Sequence, residues 1–175
     1  PAFISTKHPL AWVSGPFNAV SVYAENSGHT MYYGRGAGGR PTAAAVVGDI
    51  VSVALGNAAL QFETLRLWPD ATAAAEQLDI EAIECRYYLR AQVADSPGVL
   101  ASISRHLADE DISISSVLQH EPADGDGGEG VAVVITTHEA RERNVRAALE
   151  KVDAQDVVRT PCVCIRMVDE HPEAI

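Results

Sequence analysis

Tyr87-Tyr-Leu-Arg-Ala-Gln-Val-Ala-Asp-Ser-Pro-Gly-Val-Leu100 is the stretch that decides the fold. Arg86 to Val93 alternates, which puts Tyr87, Leu89, Ala91 and Val93 on one face of a strand. Asp95-Ser-Pro-Gly98 ends the alternation, because proline stiffens the turn and glycine accepts backbone angles closed to other residues. Past it the apolar period becomes helical, and Val99, Leu100, Ile103 and Leu107 form one stripe over residues 98–109. Further on, Ile112 to Gln119 alternates again, with Ile112, Ile114 and Leu118 expected on one side. Pro122 to Gly130 is a polar, glycine-rich loop expected to be mobile. Val131 to Thr137 is a third strand, Arg141 to Val152 a second helix with Val145, Ala148, Leu149 and Val152 inward, and Cys162 to Val168 a fourth strand. The order over residues 84–170 is β-α-β-β-α-β, a ferredoxin-like α+β sandwich with both helices on one sheet face. The opposite face, or the strand edges, is left for a partner copy.

Working back toward the N-terminus, Phe17 to Tyr23 and Thr30 to Tyr33 read as strands around the turn Glu25-Asn-Ser-Gly28, a β-hairpin. Gly34-Arg-Gly-Ala-Gly-Gly39 follows, then a helix opening near Pro41 and ending near Gly56-Asn57. Residues 57–80 lack clear periodicity, contain Pro69, and are expected to form a short strand and a connector. This makes residues 1–80 one unit and 84–170 another. Their charges differ: 4 basic and 6 acidic side chains in 1–80, against 9 and 18 in 81–175. The more neutral first unit is expected to be partly covered by protein upstream of Pro1.

Composition narrows the function classes. A formal charge of −11, with Lys7 and Lys151 the only lysines, leaves no basic patch for nucleic acid. The most apolar stretch, Ala43 to Ala59, is interrupted by Gly48, Asp49, Ser52, Gly56 and Asn57 and so does not read as a membrane span. Cys85, Cys162 and Cys164 are an odd number and form no disulfide framework, which suits a reducing cytoplasm. Cys162 and Cys164 share a strand face, but without further Cys or His pairs they read as buried thiols rather than a metal site. The histidines show no H-x-x-H spacing and no G-x-S-x-G elbow occurs, so hydrolase and metalloenzyme readings gain little.

Gly34, Gly36 and Gly39 satisfy G-x-G-x-x-G between a strand and a helix, and Glu63 follows at the distance of a ribose-binding acid. No further βα units remain to build a doubly wound sheet, so a complete dinucleotide fold does not start here. By pattern alone the loop is either a plain turn or a phosphate contact. HPLAWVSGPFNAV (8–20) and TMYYGRGAGGRPTAAAVVGDI (30–50) resemble the closing part of the homoserine dehydrogenase catalytic region. The resemblance implies that Gly34, Gly36, Ala37 and Gly38 lie near NAD(P), presenting backbone rather than side chains. The family's N-terminal dinucleotide fingerprint and its catalytic lysine and acids have no counterpart, and Lys7 does not take that role. The resemblance therefore implies no catalytic residue here, no cofactor bound to this chain by itself, and no turnover from it.

Residues 87–100 and Ile112 to Gln119 resemble an ACT domain, whose first strand ends in D-x-P-G-V-L, and Thr137 to Arg143 resembles its homoserine dehydrogenase version. The implied ligand is a small amino acid, threonine by analogy with pathway feedback, at Asp95, Pro97, Gly98, Val99, Leu100 and Gln119. A helix N-terminus suits its carboxylate. Asp95 caps the helix or faces the ammonium group; Gln119 is a ligand contact or an ordinary exposed strand residue. Assembly is expected as at least a homodimer through the ACT domain, with the hairpin of the first unit adding a separate contact. Two further readings stand beside this one, a free-standing ACT sensor and a purely structural dimerisation piece. Residues 7–55 speak against the first, since a free sensor would not need them.

Overall fold

The computed structural model describes residues 1–70, 73–74, 76–119 and 130–169. Most of the loop expected to be mobile lies outside these. In chain order the first elements are β1 (Ala2–Ile4), β2 (Phe17–Ala24), β3 (Gly28–Arg35), α1 (Gly39–Ala54) and α2 (Asn57–Thr64). Then come β4 (Glu84–Val93), α3 (Val99–Asp109), β5 (Ile114–Gln119), β6 (Val131–Thr137), β7 (Ala140–Arg141), α4 (Glu142–Asp153) and β8 (Val158–Val168). The described residues divide into two compact units, one of Pro1–Ser5 with Leu78–Asp169, the other of Thr6–Gln77.

The larger unit is a sheet in the order β1-β8-β4-β6-β5, with the short β7 also pairing β4. Alternation in β4 places Tyr87, Leu89, Ala91 and Val93 inward, each no more than 5% exposed. They meet Val131, Val133 and Ile135 of β6, the α3 stripe Val99, Ile103 and Leu107, and Val145, Ala148 and Val152 of α4. Burying each of the larger aliphatic side chains stabilises the fold by about 1.5–3 kcal/mol. Leu100 was expected in the stripe but is 37% exposed, because it stands beside the buried row rather than on it. β8 starts earlier than the alternation suggested. Its pairing shifts between Gln92↔Thr160 and Arg90↔Val163, so Pro161, which has no N–H to donate, sits in the irregularity. The Cys162 N–H there donates to Asp153 Oδ1 at 2.9 Å.

The smaller unit contains the expected hairpin, paired from Phe17↔Arg35 to Ala24↔Gly28, and the expected helix α1. Residues 57–64 are a correction: they form α2, not a strand. Gly56 at φ 76° ends α1 in the left-handed conformation, and the helix formers after it start a second helix at once. No described helix alone is long and apolar enough to cross a membrane; α1 and α2 together are, by length and composition, but are bent by 79° at the break.

One buried charge pins the larger unit. Glu142 opens α4, is 8% exposed, and its backbone N–H donates to Ile83 O at 2.9 Å. Its carboxylate accepts from Tyr87 Oη at 2.9 Å, Arg166 Nε at 2.8 Å and Arg146 Nε at 3.0 Å. Burial alone would push this carboxyl up, but the hydrogen bonds from Arg166, Tyr87 and Arg146 outweigh it and hold the group below its ordinary value. A lowered folded value means stability that is present above the unfolded value of 4.5 and lost as the pH falls through the folded one. Glu142→Gln is therefore expected to lower the melting temperature at neutral pH and to flatten the loss of stability in acid, as followed by thermal unfolding from neutral pH to about pH 3.

Candidate functional site

The turn after β4 is set by backbone conformation. Gly98 has φ 93° and is the residue before α3, and no side chain caps the helix. Asp95 thus does not act as the cap; it is exposed in the turn, as are Ser96 and Pro97. The Val99 N–H lies 3.4 Å from Ser96 O, a long contact, and its side chain is in the core, so only its backbone faces the turn. The N–H groups of Leu100 and Ala101 have no partner among the described residues. An uncapped first turn carries partial positive charge and suits a carboxylate.

The turn is held from both sides. Ala94 N–H donates to Val157 O at 2.8 Å, and Gln92 Nε2 donates to Gly130 O at 3.1 Å. Gly130 also has φ 93°, and a Cβ there would lie 2.2 Å from Val93 O. Reading along the sequence passed over Gly130 and Gln92, because the closeness of Gly130 to Val93 comes from strand pairing across a long loop.

Gln119 reaches the same end of the sheet. It pairs with Val133, which pairs with Ala91, two residues before Val93. A register shift between Ile114 and Ser116 changes which side chains share a face. Ile114 lies opposite Thr137, and beyond the shift Val117 and Gln119 lie opposite Ile135 and Val133, on the helix side. Leu118 lies opposite Val134 on the other face, so it does not share a side with Ile112 and Ile114 as the alternation suggested. The fold therefore brings Asp95, Pro97, Gly98 and Leu100 to one sheet end, with Gln119 at that end on the helix side. Both Asp95 and Gln119 are exposed, and Gln119 occupies the edge strand.

The glycine loop lies in the smaller unit. Gly34 is in β3, opposite Asn18, while Gly36, Ala37 and Gly38 connect β3 to α1. Gly36 N–H donates to Pro16 O at 3.0 Å, and a Cβ at Gly36 would fall 1.8 Å from the Asn18 side chain. Gly38 at φ 124° precedes α1, whose first turn has neither a side-chain cap nor an acid. Backbone close to the surface beside an uncapped helix start fits a nucleotide cofactor approached through main-chain groups.

The thiols are not a reactive centre. Burial, then the Asp153 carboxylate, pushes the half-buried Cys162 up to about 12; Cys164 is exposed rather than buried as expected, and partial desolvation, then Glu142, raises it. A raised thiol is a poor nucleophile, which for Cys162 agrees with its packing against the core. Among the described residues no group of three or more His, Cys, Asp or Glu could hold a metal ion.

Residues 87–154 match the ACT domain family, so this sheet and its turn define an ACT-domain protein. Residues 1–51 match the homoserine dehydrogenase family. Over 98% of its length the chain is 38% identical to homoserine dehydrogenase of Neisseria gonorrhoeae, covering 39% of that protein. It is 39% identical over 95% of its length to the Mycobacterium tuberculosis enzyme, of which it covers 37%. A crystal structure of homoserine dehydrogenase from Thiobacillus denitrificans superposes over 98% of this chain and 38% of that one, with TM-score 0.79 and 38% identity. The chain is similar to a segment spanning less than two fifths of the length of these homoserine dehydrogenases.

Both left-handed glycines at the turn can be checked by substitution. Gly98→Ala meets open space and should cost about 1–2 kcal/mol for the conformation alone. Gly130→Ala adds a clash with the backbone of β4 and should cost more than Gly98→Ala, as measured by urea unfolding.

Proposed function

We propose that this chain is the regulatory part of a homoserine dehydrogenase, in which the ACT unit senses a small amino acid, threonine by preference. The observation that carries the reading is the uncapped α3 start behind the left-handed Gly98, at the sheet end where β5 finishes in Gln119. A free amino acid offers a carboxylate for the N–H groups of Leu100 and Ala101, and an ammonium group for Asp95. Gln119, exposed on the edge strand, contributes from the same copy or from a second one. β5 is one outer strand of the sheet, and β1 pairs with only Arg166 to Val168 of β8, so either edge leaves backbone for a partner copy to approach. A homodimer or higher assembly through this unit is part of the proposal, with no role for nucleic acid or a membrane, and with a cytoplasmic setting.

The parent enzyme's reaction is the interconversion of L-homoserine and L-aspartate 4-semialdehyde. NAD(P) supplies or takes the hydride, and Gly34, Gly36, Ala37 and Gly38 would meet it through their backbone. Several side chains of α1, including Val46, Ile50 and Val53, are more than half exposed, which suits a helix that packs against more protein than this chain contains. The chain by itself is accordingly expected to be inactive, and homoserine-dependent reduction of NAD(P) by a homogeneous sample would refute that.

Calorimetric titration with threonine, methionine, isoleucine and lysine tests the sensing role. Heat with threonine, weakened about ten-fold or more by Gln119→Ala, is the expected result, since a lost hydrogen bond to a charged group costs about 1.5–3 kcal/mol. Heat with none of the four in a folded sample would leave the unit as an assembly device. Sedimentation should show at least a dimer, and a monomer at high micromolar concentration would contradict the assembly.

A further inference from the structure

Among the described residues one buried side-chain nitrogen has no hydrogen-bond partner, Nε2 of Gln155. Gln155 lies between the end of α4 and the start of β8. Its backbone is fixed on both sides, since its N–H donates to Val152 O at 3.1 Å and its carbonyl accepts from Val158 N–H at 3.0 Å. Its side chain is held as well, because Oε1 accepts from Ser102 Oγ of α3 at 2.5 Å. A buried amide N–H without an acceptor carries the full cost of its desolvation, and such groups are rare in folded chains. A donor held in place at that cost is matched to an acceptor that binding brings.

The neighbours of Gln155 set it at the Gly98 turn. Val157, two residues on, accepts from Ala94 N–H at 2.8 Å, on the chain entering the turn. Ser102, on the chain leaving the turn, donates its own N–H to Gly98 O at 2.9 Å. Segment 155–157 is therefore bonded to both arms of the turn, and the buried amide lies on its inner side. Leu100 and Ala101, whose N–H groups have no partner among the described residues, directly precede Ser102 in the same helical turn.

An amino acid at this turn has a carboxylate for those N–H groups and an ammonium group for Asp95, all of them at exposed residues. Sinking either charge against a lone buried amide would carry a large desolvation cost, and an ammonium group has no lone pair with which to accept. A side-chain hydroxyl is neutral and does accept, so it is the polar end whose burial costs least.

We propose that Gln155 is the specificity-determining residue of the effector site, its Nε2 donating to the side-chain hydroxyl of a hydroxy amino acid such as threonine. The inference rests on the sensing role proposed above and adds the group that separates threonine from its apolar isostere, valine. A site built to bond a hydroxyl rejects the analogue lacking it, because its own polar group stays unpaired.

Calorimetric titration of the whole chain with threonine and with valine tests this, using wild type, Gln155→Met and the double variant Ser102→Ala/Gln155→Met. Wild type should bind threonine about ten-fold or more tighter than valine. Gln155→Met keeps the length of the side chain without its amide, and should bring the two affinities within about two-fold of each other. The double variant removes both partners of the Ser102 hydrogen bond, so it should keep a urea midpoint near that of wild type and show the same loss of preference. A purely structural role for Gln155 would weaken both ligands alike and preserve their ratio, which would overturn the assignment. Equal binding of threonine and valine by wild type overturns it without any variant. Heat with methionine, isoleucine or lysine but not threonine leaves sensing intact and overturns the role of Gln155. Heat with none of these amino acids overturns sensing and the assignment together.

Discussion

The central strand β4 is the constraint on which the larger unit depends. It pairs with β6 on one side and β8 on the other, and its first residues also pair with β7. Its inner face is buried from Tyr87 to Val93, so a register slip of one residue would turn that whole row to solvent. Glu142 resists a slip at the beginning of the strand, because its carboxylate joins Tyr87 of β4 to Arg166 of β8 and Arg146 of its own helix. A buried carboxylate with three donors tolerates little displacement of any of them. The strand is thus held chemically at its start and is free to turn sharply at its end.

That division of labour shapes the candidate site. At the end of β4 the chain is kept by the left-handed Gly98 and, among the described residues, by hydrogen bonds that include Ala94 N–H to Val157 O and Gln92 Nε2 to Gly130 O. The absence of a side-chain cap leaves the N–H groups of Leu100 and Ala101 without a partner among the described residues, where a capping Asp95 would have taken one. Capping would have stabilised the helix by about 1 kcal/mol.

The two units are different kinds of object. The larger buries its own core, from Tyr87 through Val152. The smaller exposes several valines and Ile50 along α1 and a hairpin bearing Val20, Tyr32 and Tyr33 on its surface. Such surfaces are a liability on a free-standing domain and ordinary on a piece of a larger catalytic body. The family match across residues 1–51 agrees with that view of the smaller unit.

The sequence by itself determined the βαββαβ order, the inward rows of β4 and α4, the hairpin, and the glycine turn between β3 and α1. Each of these depends on local periodicity or on a residue with unusual backbone freedom, and both are properties of neighbours along the chain. Only the tertiary structure decided the rest. The shift in β5 that puts Gln119 on the helix side depends on pairing with β6, not on any residue in β5 alone. Residues 57–64 became helical because a left-handed Gly56 lets one helix follow another, where the sequence offered no period to read. Gly130 became a close-contact residue because strand pairing set it against Val93. The assignment of residues 2–4 to the ACT sheet depends on β8, more than 150 residues away, and no local pattern encodes a partner at that separation.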